Sequence, residues 1–188
     1  THHPELRAEL ARLKSERAIP ELLDRPNSNG AERPAAHERA AQLIDELNKI
    51  HPMLDLRISL KRIERFYPPG PFQFDPVDLE NVRRFQRVYA EQREGYRELF
   101  RRDGFQFDIA LCDGLMADLD ALDHARFAHR LESLEVAESL AEGHLSATVL
   151  PLRNMLLIDA HLSAIPNVSA RMAGANLRKD ALEIVAAV

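Results

Sequence analysis

DPVDLENVRRFQRVYAEQREGYRELFRR, residues 75–102, is the stretch on which the fold turns. Asp75 offers a helix N-cap, and Pro76 suits the first helical position, where its missing N–H costs nothing. At about 100° per residue, Val82, Phe85, Tyr89, Gln92, Tyr96, Leu99 and Phe100 gather on one face. Arg83, Arg87, Arg97 and Arg101 gather on the opposite one. The expectation is one long amphipathic helix to Arg102, ended by Asp103–Gly104.

Working outward, the same period recurs. Ala36, Ala40, Leu43, Leu47 and Ile50 repeat at 4-3-4-3 spacing and predict a helix over 35–50, closed by His51–Pro52. A first helix is expected from Pro4 to Asp24, with Pro20 as a break. Residues 108–143 read as helix interrupted near Asp123, with Gly143 as C-cap. Leu152–Ile165 is apolar around most of its circumference and reads as a central, buried helix. A last amphipathic helix is expected over 168–188. Segments 25–34 and 67–75 read as internal loops of a single domain spanning 1–188. The fold class is therefore all-α, a single-domain bundle of six or seven helices around a central apolar one.

One segment leaves an alternative. Leu54, Leu56, Ile58 and Leu60 alternate with polar residues at the period of a strand, although Met53, Leu56, Leu60 and Ile63 fit a helix. Phe105, Phe107, Ile109 and Leu111 alternate likewise, so a small two-stranded element (54–60 with 105–111) competes with the all-helical reading. The tetrapeptide Phe-Gln-Phe-Asp occurs twice, at 72–75 and 105–108, without any longer duplication around it.

Composition excludes several functions. No apolar run in the 188 residues reaches the roughly 18 needed for a transmembrane segment. The lone Cys112 rules out an internal disulfide framework and a multi-cysteine zinc site. Seven glycines form no phosphate-binding loop, and a net charge of −5 gives no reason to expect specific nucleic acid binding. That charge is unevenly spread. Residues 1–102 carry 19 basic against 17 acidic side chains, a net of +2, and residues 103–188 carry 6 against 13, a net of −7. Such a chain can fold its halves together or pair with a copy. Of the 25 basic residues 21 are arginine, a bias that a GC-rich genome would also produce. A cytoplasmic location is favoured, and a processed exported protein is the alternative.

Chemistry-bearing constellations are few. Asp113, Asp118, Asp120 and Asp123 crowd together before His124, and Asp120 with His124 shares a helical face suited to a divalent metal. The spacing matches neither an EF-hand, whose twelfth position from Asp118 would be His129, nor a Glu-x-x-His site. Within the apolar segment, Asp159 and His161 are candidate acid/base residues, and Asn154 shares the face of His161. Ala128–His129–Arg130–Leu131 is similar to the opening of the histidine-phosphotransfer helix pattern. Glu132 and Ser133 stand where that pattern prefers lysine and glycine, so the chain is not assigned to it. Arg83, Arg87, Arg97 and Arg101 are the candidate partner-binding residues.

The function expected is that of a non-enzymatic helical interaction or structural protein, acting through a protein partner or as a homo-oligomer without a cofactor. The alternative is a metal-dependent or acid/base enzyme using the Asp/His cluster of the C-terminal half.

Overall fold

The computed structural model describes residues 32–66, 75–111, 113 and 117–186. Seven α-helices lie among them: α1 (Glu32–Ile50), α2 (Met53–Ile63), α3 (Pro76–Val88), α4 (Ala90–Phe100), α5 (Asp120–Ala141), α6 (Val149–Ser163) and α7 (Val168–Ala186). A short 3₁₀ turn, Glu64–Phe66, extends α2, and another, Leu145–Thr148, leads into α6. There is no strand among the described residues, so the all-α reading stands. The helix expected over 4–24 and the first Phe-Gln-Phe copy at 72–74 lie outside them.

The alternation of 54–60 resolves as a helix because residues two apart point away from each other on one. Leu56 and Ile63 are buried in α2, while Leu54 and Ile58 face outward. Residues 105–111 are irregular rather than extended partners. Their Phe105 and Phe107 rings pack on Phe100, at 5.1 and 5.3 Å. Among the described residues Asp108 caps no α-helix, since α5 begins only at Asp120.

At the start of α3, Asp75 Oδ1 accepts from Val77 N and Asp78 N, both at 2.8 Å, with Pro76 at the first helical position. The long helix expected to Arg102 is divided, however, at Tyr89. That residue has φ −106° and ψ 19°, although its N–H still donates to Phe85 O. Tyr89 is gripped by the core. Ser59 Oγ lies 2.7 Å from its hydroxyl, and its ring packs on Phe85 at 4.5 Å and Phe127 at 5.4 Å. At the end of α5 the expected glycine stop is present. Gly143 has φ +75°, Gly143 N donates to Leu140 O, and His144 N donates to Ser139 O. The paired bonds complete a Schellman cap that an L side chain would strain.

The centre of the bundle differs from the one that hydropathy predicts. It is α5, not the helix at 152–165. Fourteen residues of α5 are buried, among them Leu122, Phe127, Leu131 and Leu134, and it touches α1, α2, α3, α4, α6 and α7. By contrast, α6 leaves Val149, Leu150 and Leu156 exposed. Hydropathy ranks α6 higher because α5 carries His124, His129, Glu132 and Ser133 into the interior. Such groups are buried only with hydrogen-bond or charge partners, which composition alone does not display.

Candidate functional site

Along α3 and α4, the arginine face lies against the acidic edge of α5. The two run antiparallel, so Arg83 of α3 meets the end of α5 and residues in α4 meet its middle. Arg83 Nη2 lies 2.6 Å from Glu142 Oε1, and Arg83 Nε is 3.6 Å from Glu138. Arg93 Nη1 is 3.0 Å from Glu135, and the same nitrogen donates to Gln86. Arg97, only 8% exposed, grips Glu132 through Nε and Nη2, each at 2.7 Å, and Nη2 reaches Glu135 at 2.7 Å as well. A two-pronged guanidinium–carboxylate contact of this kind satisfies both groups where water is excluded. Glu132 also accepts from Asn154 Nδ2 at 3.2 Å, and Asn154 Oδ1 accepts from Arg101. Arg87 stays on the surface with Glu80 of its own helix, 2.9 Å away.

The electrostatics follow from burial. Burial pushes the Glu132 carboxyl up from its ordinary value, and Arg97 pulls it back. Burial alone would lower the Arg97 guanidinium, but Glu132 and Glu135 hold it above its usual value. The four candidate arginines thus divide: Arg83, Arg97 and Arg101 are engaged by α5 and α6, and Arg87 faces solvent. The sequence reading missed the receiving side. Glu132, Glu135, Glu138 and Glu142 recur at 3-3-4 spacing, a stripe visible on any helical projection of α5.

Asp120 and His124 go to different neighbours. Asp120 Oδ1 is 3.9 Å from Arg57, and burial raises its carboxyl above the ordinary carboxylate range. His124 is fully enclosed, its Nδ1 2.8 Å from the Tyr96 hydroxyl, and burial lowers it to about 4. Among the described residues, no group of three or more His, Cys, Asp or Glu side chains is placed to hold a metal ion.

Asp159 and His161 part in the same way. Asp159 faces α7, where Oδ2 accepts from Arg178 Nε at 2.8 Å and Oδ1 from Ser163 Oγ at 3.1 Å. Gly174 permits this crossing, since a Cβ there would lie 3.0 Å from Ser163 Oγ and 3.2 Å from Asp159 Oδ1. His161 donates Nε2–H to Phe100 O at 3.0 Å and lies edge-on to Phe105. The histidine of the phosphotransfer-like stretch, His129, is buried and donates Nε2–H to Leu177 O at 3.0 Å. No attacking nitrogen faces solvent there.

What the chain does present outward is apolar. On α7, Ala170, Ala173, Gly174, Leu177 and Ala181 are buried. The opposite face carries Val168, Met172, Ala175, Lys179 and Leu182 at 4-3-4-3 spacing. Val168 is 74% exposed, Met172 61% and Leu182 56%. No helix is long and apolar enough to cross a membrane among the described residues. No protein-family model matches the chain, and neither a curated protein nor a solved structure matches it.

Proposed function

We propose that the chain is a non-enzymatic helical interaction protein that acts by association with a second copy or with a protein partner through the outer face of α7. The carrying observation is the exposed stripe Val168, Met172 and Leu182, which falls on the 4-3-4-3 face of a helix whose other face is already buried. An apolar stripe at that spacing is the surface by which one helix packs on another. Leucine and methionine left in water forgo the stabilisation that burial of apolar area brings, so a partner has a physical reason to cover them.

The arginine face is not the surface favoured for association. Arg83, Arg97 and Arg101 are already satisfied within the chain, which leaves them little to offer a partner. Association through α7 should therefore persist at high salt, unlike association by opposite charges. Sedimentation velocity over a range of concentrations, at 0.1 and 1 M salt, tests this. The expected result is a concentration-dependent dimer at both salts, lost in Met172→Glu/Leu182→Glu. A chain that stays monomeric throughout and whose α7 face cross-links to no cellular protein would overturn the reading. A dimer that the double variant preserves would overturn it equally.

A further inference from the structure

The other side of α3 holds a second feature that association through α7 does not use. Between the end of α2 and α3 lies an open cleft of about 460 Å³. Its rim carries Arg62 and Arg65 from one element and Arg84 from the other, and its apolar wall comprises Phe66, Phe85 and Val88. That volume falls in the range of small-molecule sites, roughly 300–1,000 Å³. The lining follows from helical spacing. Asn81, Arg84, Phe85 and Val88 fall at i, i+3, i+4 and i+7 of α3, and Arg62, Arg65 and Phe66 at i, i+3 and i+4 across from them.

The arginines of this cleft differ from nearly all others in the protein. Guanidinium after guanidinium elsewhere meets a carboxylate, amide or carbonyl, from Arg33 with Asp113 to Arg178 with Asp159. Among the described residues, Arg62, Arg65 and Arg84 make no side-chain hydrogen bond or ion pair, and three such arginines line one cleft. The dipole at the C-terminal end of α2 accounts for a cation at Arg62. It does not account for Arg84, which lies in the interior of α3 with its side chain exposed. Phe66 and Phe85 meet edge to face at 5.7 Å, giving the cleft a firm aromatic wall.

The geometry points to a binding site for a small organic phosphate, a phosphate monoester with a flat apolar body. Guanidinium forks match the oxygens of a phosphate dianion, and an aromatic or similar body has Phe66 and Phe85 to pack against. Neither part suffices alone. A bare anion would leave the aromatic wall wet, and a neutral aromatic would leave three cations unpaired.

Calorimetric titration of the full chain with 1-naphthyl phosphate, 1-naphthol and inorganic phosphate tests the assignment. The ester should bind saturably at one site, and each of the other two at least tenfold more weakly. Arg84→Gln and Arg65→Gln should each weaken the ester at least tenfold. Arg153→Gln, an arginine on α6 outside the cleft lining, should leave it unchanged. Because the cleft arginines hold no partner among the described residues, thermal melting of all three variants should match the parent chain. Failure of the parent chain to bind the ester would overturn the assignment. So would ester binding that Arg84→Gln and Arg65→Gln leave intact, or naphthol binding as tightly as its phosphate.

Discussion

Arg83 and Arg84 are neighbours on α3 with opposite fates. Arg83 turns toward α5 and is held by Glu138 and Glu142, whereas Arg84 lines the cleft with Arg62, Arg65 and the aromatic wall and makes no ion pair among the described residues. The seam on one side of the helix is a closed electrostatic circuit, and the cleft on the other is an open one. The difference shows that a basic helix face is not one functional unit. Successive residues are 100° apart, so the neighbouring element decides which positive charges are consumed and which remain. The net of +2 in residues 1–102 averages over both.

The seam should break hardest at Arg97. Replacing it with Met leaves Glu132 buried without its main counter-charge, and a loss of about 3–5 kcal/mol is expected in urea denaturation. Adding Glu132→Met should recover at least half of that loss, since the stranded charge is then gone. If Arg97→Met costs less than about 1 kcal/mol, the seam does not organise the fold.

Acid should loosen the same interior next. Burial holds His124 at about 4 and His129 at about 3, below the ordinary imidazole value of about 6.5, and lowers His51 as well. These depressed groups contribute stability that is fully present above about pH 6.5. It is lost as pH falls, because the unfolded chain takes up the protons first. Between pH 7 and 5 each of His124 and His129 should remove on the order of 2 kcal/mol. Glu132, whose carboxyl is raised, pulls the other way and softens the loss. A flat stability profile over that range would refute the burial of these rings.

The comparison sharpens to its smallest terms at Arg83 and Arg84 themselves. Arg83→Ala should lower the urea midpoint slightly at low salt and less at 1 M salt, as partly exposed ion pairs do. Arg84→Ala should stay within about 0.5 kcal/mol of the parent chain at either salt. Equal costs at the two positions would erase the distinction between seam and cleft.

Much of the helix inventory was readable because it rests on local chemistry. The 4-3-4-3 stripe from Ala36 to Ile50, the Asp75–Pro76 start and the Gly143 stop each act within a turn or two of the chain. The division at Tyr89 was not readable, because it depends on contacts with Ser59 and Phe127 from distant segments. The candidate sites divide along the same line. Asn154 and Asp159 were recognisable as polar groups in an apolar segment, but their partners Glu132 and Arg178 lie on other helices. Asp120 and His124 share a helical face on paper, yet Arg57 and Tyr96 draw them apart.

By itself, then, the sequence determined that the chain is helical, where most of its helices begin and end, and that its two halves differ in charge. Those properties follow from backbone geometry, caps and periodicity, all of which operate over a few residues. Only the tertiary structure decided that α5 occupies the centre, that Arg83 and Arg97 are spent on its glutamates, and that Arg62, Arg65 and Arg84 are left around a cleft. Burial and charge pairing join residues dozens of positions apart, and which helices become neighbours is set by packing all of them at once.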